Sequence, residues 1–67
     1  MVSHDYIINA GTSQNNCVPL MAASTKEEAI EKAKVLVEQH KYKYAEVVFM
    51  PESDISINEV IWTSKGV

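Results

Sequence analysis

The stretch ASTKEEAIEKAKVLVEQH, residues 23–40, decides the fold, because apolar side chains recur in it at helical spacing. Ser24 and Thr25 are both good N-cap residues, and each has a glutamate three positions later, which is the capping-box arrangement. The sequence therefore predicts an α-helix over about 25–40. The predicted apolar stripe of this helix consists of Ala29, Ile30, Ala33, Leu36, Val37 and His40.

Two segments on each side of this helix have strand character. They are rich in β-branched and aromatic residues and are separated by turn-forming residues. The predicted strands are 4–9 (HDYIIN), 17–22 (CVPLMA), 42–50 (YKYAEVVFM) and 55–63 (ISINEVIWT). The polar run 11–16 (GTSQNN) predicts a hairpin loop, 51–54 a turn, and 64–67 a loose tail.

The order of these elements predicts a single α+β domain, residues 1–67, with a ββαββ pattern. Pro19 has no N–H to donate to a neighbouring strand, so the second strand is expected at an edge of the sheet. The order 2-1-3-4 then makes all neighbouring strands antiparallel with short connections. We expect a four-stranded antiparallel sheet with one helix packed on one face.

Charge and composition narrow the function classes. The chain has six lysines, no arginine and a formal net charge of −3, which disfavours a nucleic-acid-binding protein. Its apolar runs are short, so no membrane span is expected. The start of the chain does not resemble a signal peptide, and Cys17 has no second cysteine to pair with. We therefore expect a cytoplasmic protein.

The last two predicted strands are apolar on both faces, although one helix can cover only one face of a sheet. We expect the helix to cover Tyr6, Ile8, Ala45, Val47, Phe49, Val60 and Trp62. The uncovered face would then carry an apolar patch of Ile7, Tyr44, Val48, Met50 and Ile61. The alternative is that these are scattered exposed residues. Apolar positions change parity along 55–63, which indicates a bulge near Asn58 and Glu59 or a strand that begins there.

Few residues suggest chemistry. Cys17, His4 and His40 lie on separate predicted elements without metal-ligand or nucleophile spacing, so neither a metal, a cofactor nor an enzyme is expected. The run Lys41-Tyr42-Lys43-Tyr44 interleaves basic and aromatic residues. Such a run can bind single-stranded nucleic acid, but the overall charge has the wrong sign for that partner. An acidic protein surface or pocket can use the same lysines.

Three families share features with the chain. Segment 24–34 (STKEEAIEKAK) is similar to the start of the helix in HicB-type antitoxins, and the helix followed by Glu46-Val47-Val48 resembles dodecins. The whole pattern resembles small phage-encoded inhibitors of bacterial defence, notably type I anti-CRISPR proteins. It shares with them the opening Tyr6-Ile7-Ile8 strand, a polar hairpin, an Ala-Ala-Ser helix entry and a closing hairpin. This resemblance implies a phage protein that inhibits a host complex.

The sequence thus predicts a non-enzymatic protein-binding module that acts by steric occlusion inside a bacterial host. Tyr44, Val48, Met50 and Ile61 are the expected interface, with Lys41, Tyr42 and Lys43 at its rim. The partner is a subunit of a host defence complex or a second copy of the chain. Two alternatives stay open: a homo-oligomeric binder of a flat, flavin-like ligand of dodecin type, and an antitoxin-like partner of a small toxin.

Overall fold

Two hairpins joined by a helix form the fold in the computed structural model, which describes residues 4–39, 41–54 and 56–65. The elements are β1 (Tyr6–Ser13), β2 (Asn16–Ala23), α1 (Lys26–Glu38), β3 (Tyr44–Phe49) and β4 (Glu59–Thr63). The strands lie in the order β2-β1-β3-β4, and every neighbouring pair is antiparallel. The helix packs on one face, chiefly over β1 and β3. The predicted ββαββ fold and strand order are confirmed.

Helix α1 begins at the second of the two candidate caps. The Thr25 hydroxyl accepts a hydrogen bond from the Glu28 N–H at 3.1 Å. The helix ends at Glu38, and Gln39 is its C-cap. It is therefore slightly shorter than predicted, and His40 lies outside the described residues. Lys32 and Glu28 form the ion pair expected from their spacing of four, at 3.2 Å.

The core lies between α1 and the sheet face that it covers. Small residues dominate it, which lets the helix approach the strands closely. Its fully buried members are Ile8, Ala10, Ala23, Ala29, Ala33, Ala45 and Val47. Larger, partly buried side chains pack around this centre: Tyr6, Met21, Ile30, Leu36, Val37, Tyr42, Ile61 and Trp62.

The first hairpin is longer than predicted. Strands β1 and β2 extend through most of the run 11–16, so that only Gln14 and Asn15 lie between them. The Asn16 side-chain amide donates to the Thr12 hydroxyl at 2.7 Å across the two strands. Polar residues of this kind occur both in loops and at exposed strand ends. The composition of 11–16 therefore could not distinguish the two, and it indicated a loop.

The second hairpin is shorter than predicted. Strand β4 begins at Glu59, one of the two possibilities that the parity change left open. Residue 55 is outside the described residues. Val47 pairs with Trp62 and Val48 with Val60, so Ile61 is an extra residue in β4, a bulge. Ser64 is not loose, because its N–H donates to the Ala45 carbonyl at 2.9 Å and its hydroxyl accepts from the Ala45 N–H.

Thr25→Ala should lower the free energy of unfolding by about 1 kcal/mol, because the Glu28 N–H loses its acceptor. Ser24→Ala is the matched control and should change stability by less than about 0.5 kcal/mol. Urea unfolding followed by circular dichroism measures both. A larger loss in Ser24→Ala than in Thr25→Ala would show that the helix is capped at Ser24 instead.

Candidate functional site

The predicted interface residues fall into two groups in the structure. Tyr44 and Val48 lie on β3, while Met50 follows that strand and its N–H donates to the Asp5 carbonyl at 2.7 Å. Lys41, Tyr42 and Lys43 form the connection between α1 and β3 rather than the start of a strand. We call the sheet face opposite α1 the far face, and the two groups are described in turn.

A polar network occupies the middle of the far face. The Tyr44 hydroxyl donates to one oxygen of the Glu46 carboxylate at 2.7 Å. The Asn9 side-chain amide donates to the other oxygen at 2.9 Å. Glu46 is 7% exposed, so its charge is largely removed from water. The two hydrogen bonds offset part of the cost of burying that charge.

The predicted apolar patch on the far face is not formed as expected. Tyr44 and Val48 are only 1% and 4% exposed, so the expectation that they project into solvent is wrong. Ile61 packs against the core on the helix side because the bulge reverses the parity of β4. Val60, expected beneath the helix, pairs with Val48 on the far face and is 46% exposed. Ile7 and Met50 are partly buried.

Two titratable groups near this network have raised pKa values, which favours their neutral, protonated forms. Burial raises the pKa of Tyr44 well above its ordinary value, and the hydrogen bond to Glu46 and the charge of that carboxylate add to the effect. Burial, and then the Glu46 charge, raises the pKa of the Cys17 thiol. The raised pKa disfavours the thiolate, which is the reactive form of cysteine.

Lys41, Tyr42 and Lys43 line a cleft on the other side of the hairpin, which we call the α1–β3 cleft. Its volume is about 490 Å³. Leu36 anchors its wall, because its carbonyl accepts from the N–H groups of Lys41 and Tyr42 at 3.2 and 3.4 Å. Both lysines are exposed, whereas Tyr42 packs against the core. The other lining residues are Ala10, Gly11, Thr12, Asn16, Cys17 and Val18.

Gly11 sets the shape of this cleft. A Cβ atom at this position would lie 2.1 Å from the Asn16 carbonyl oxygen and 2.6 Å from the Cys17 Cα, both in the backbone of β2. The Gly11 carbonyl also accepts from the Lys43 N–H at 3.1 Å. Close approach of β1 to β2 therefore requires glycine, and the same residue ties the Lys41–Lys43 connection to the sheet.

Sequence reasoning missed the polar half of the far face. The sequence analysis assigns no partner to Asn9 or Glu46, although a glutamate inside the apolar run 44–49 is a signal that it has one. Within residues 4–39, 41–54 and 56–65, no group of three or more His, Cys, Asp or Glu side chains could hold a metal ion. No helix in that part of the chain is long and apolar enough to cross a membrane.

Comparison with known proteins yields no match: no family model fits the chain, and neither a curated protein nor a solved structure is significantly similar to it. Its function therefore has to be inferred from the geometry of its own residues.

Val48→Asp should prevent folding or cost more than about 3 kcal/mol, because it places an unpaired charge at a buried position. Val60→Asp is the matched control on the same face and should cost less than about 1 kcal/mol, since Val60 is exposed. Thermal and urea unfolding report both. Similar losses in the two variants would contradict the assigned parity of β3 and β4.

Tyr44→Phe should cost about 1–3 kcal/mol at neutral pH, because it leaves one Glu46 oxygen without its donor. A raised pKa in the folded state means that folding favours the neutral Tyr44 hydroxyl. Its contribution to stability is complete below the ordinary pKa of 10.0 and is lost as pH rises above that value. Between pH 9 and 11, stability should therefore fall more steeply in the natural protein than in Tyr44→Phe.

Tyr42→Phe is the control for this measurement, because it removes a hydroxyl group from a tyrosine outside the Tyr44–Glu46–Asn9 network. Its stability should follow the natural protein's alkaline profile. If stability falls with pH equally steeply in Tyr44→Phe and in the natural protein, the pKa of Tyr44 is not raised by folding.

Proposed function

We propose that this chain is a non-enzymatic protein-binding module that inhibits a bacterial defence complex by steric occlusion, with the α1–β3 cleft at its interface. The main support for this proposal is that the exposed lysines Lys41 and Lys43 line this cleft together with apolar residues. Val18, one of these apolar residues, is 56% exposed. Cationic groups around an apolar centre suit an acidic surface of another protein.

The charges of the cleft support an acidic partner. No acidic side chain is among the described residues that line it. The backbone of Lys41 and Lys43 is held by hydrogen bonds to the Leu36 and Gly11 carbonyls, so only the exposed lysine side chains need ordering when a partner binds. The proposed mechanism is steric occlusion: the bound module covers a surface that the defence complex uses for its own activity.

The corrected far face changes which predicted residues carry this proposal. Tyr44 and Val48 are too buried to be principal anchors, so Lys41, Tyr42 and Lys43 move from the expected rim to the centre. A dodecin-type role needs a far face that encloses a flat ligand, and the network of Tyr44, Glu46 and Asn9 gives it no support. An antitoxin-like role would use the same cleft on a different partner.

The double variant Lys41→Glu with Lys43→Glu should lose partner binding at least about tenfold, because two attractions become repulsions. Its matched control is Lys26→Glu with Lys34→Glu, which makes the same change in net charge at two other exposed lysines. Tagged chains are incubated with bacterial lysate, and retained proteins are quantified by mass spectrometry at low and high salt. A subunit of a defence complex should be retained by the natural and control chains alone, and less at high salt.

Inhibition is tested separately by phage plating on bacteria with an active CRISPR defence. Expression of the natural or control chain should restore plaque formation, and the Lys41→Glu, Lys43→Glu chain should not. Equal retention by all three chains would contradict the role of the α1–β3 cleft, and retention without restored plating would contradict inhibition.

A further inference from the structure

We infer that a second cleft, on the far face, continues the binding site, so that one acidic segment of the partner protein crosses the β1–β2 hairpin and contacts both clefts. This inference rests on the proposed function. The second cleft has a volume of about 410 Å³. Its lining residues are Thr12, Ser13, Gln14, Tyr44, Thr63 and Lys65. Thr12 also lines the α1–β3 cleft, so the hairpin is the ridge between the two.

One wall of the second cleft carries an exposed cationic group beside a buried, unpartnered hydroxyl. The Thr63 Oγ1 atom is buried, and none of the described residues bonds to it. Such a group costs stability until a partner is supplied. Lys65 is exposed and adds an ammonium group to the same wall. A carboxylate from a bound segment can accept from this ammonium group, whereas the Thr63 hydroxyl has almost no accessible surface and lies behind the cleft wall.

The Glu46 carboxylate close to this cleft is buried and has both of its oxygens hydrogen-bonded. Glu46 lies opposite Thr63 in the register of β3 and β4. Its two oxygens accept from Tyr44 and Asn9, and Tyr44 forms part of the cleft wall. Among the described lining residues no acidic side chain is present. An incoming carboxylate therefore meets Lys65 and does not contact the Glu46 oxygens, because Glu46 is 7% exposed and is not among the described lining residues.

The distribution of charge along the sheet favours an acidic protein segment over nucleic acid. Lys41, Lys43 and Lys65 border the two clefts at the hairpin end. Glu59 pairs with Phe49 at the other end, where Asp5 accepts from the Glu52 N–H. A long polyanion would meet these carboxylates, whereas a short acidic segment need not.

The aromatic residues give the same preference. Tyr42 packs against the core and Tyr44 is almost completely buried, so neither offers an open ring for base stacking. The lysines remain free to bind carboxylates of a protein segment. The occupant that we infer is therefore a short, extended, Asp- or Glu-rich stretch of the partner.

The test is a titration of the ¹⁵N-labelled chain, followed by NMR, with three ten-residue probes: a capped glutamate peptide, a neutral Gly-Ser peptide and single-stranded thymidine DNA. The glutamate peptide should shift the amides of Lys41 and Lys43 and also those of Ser13, Gln14, Thr63 and Lys65. The neutral peptide should shift neither set. The DNA should bind more weakly than the glutamate peptide.

Two variants assign the second cleft. Lys65→Glu should weaken binding of the glutamate peptide about fivefold, and the control Lys26→Glu, with the same change in net charge, should weaken it less than about twofold. Thr63→Val should change binding by less than about twofold and leave the unfolding midpoint unchanged or higher, because the hydroxyl that it removes is inaccessible and has no partner in the free protein.

The outcomes separate this inference from the proposed function. Shifts at Lys41 and Lys43 with none at Thr63 and Lys65 would overturn the second cleft and leave the first intact. Equal effects of Lys65→Glu and Lys26→Glu would also overturn it. An absence of shifts at both clefts would overturn the proposed interface as well, and tighter binding of the DNA would overturn the acidic protein segment as the occupant.

Discussion

The carboxylate of Glu46, held between the Tyr44 hydroxyl and the Asn9 amide, is the interaction on which the far face depends. A single helix of 13 residues covers one face of a four-stranded sheet, so the other face must be closed by the side chains of the sheet itself. An isolated buried carboxylate is costly, but two donors satisfy both of its oxygens. The result is a polar centre where an exposed apolar patch was expected.

Helical periodicity and strand order were readable from the sequence because each rests on a local physical rule. The stripe that includes Ala29 and Ala33 needs the sheet as its partner, and Pro19 disfavours a central position for β2. The faces of β3 were predicted correctly, since Ala45 and Val47 lie in the core under the helix, although the burial of Tyr44 and Val48 on the far face was not expected. The faces of β4 were not readable, because an unbroken apolar run has no alternation to assign. One extra residue, Ile61, then reverses the faces of its neighbours, and such a bulge depends on pairing rather than on composition.

The candidate site was predictable only where its residues are adjacent in sequence. Lys41, Tyr42 and Lys43 were identified as a basic and aromatic run, and they do line one cleft together. Thr63 and Lys65 line the second cleft together with residues of the β1–β2 hairpin, which are about 50 positions earlier in the sequence. No local sequence pattern predicts that contact. The net charge of −3 was also a poor guide, because it sums a lysine-bordered hairpin end and an acidic opposite end. A partner responds to the local field of the end it meets.

Tyr44 connects the stability of the fold with the geometry of the proposed interface. Its hydroxyl satisfies Glu46 while its side chain forms a wall of the second cleft, so the cleft is built on one of the most buried positions of the chain. Gly11 has the same double role on the other side of the hairpin, since its close contact with β2 shapes the first cleft. The backbone walls of both clefts are thus fixed by contacts within the fold, so the proposed binding would have to order only the exposed lysine side chains. An interface of fixed polar and charged groups, unlike the exposed apolar patch first expected, should derive its selectivity and its rate of association from electrostatic complementarity rather than from buried apolar area.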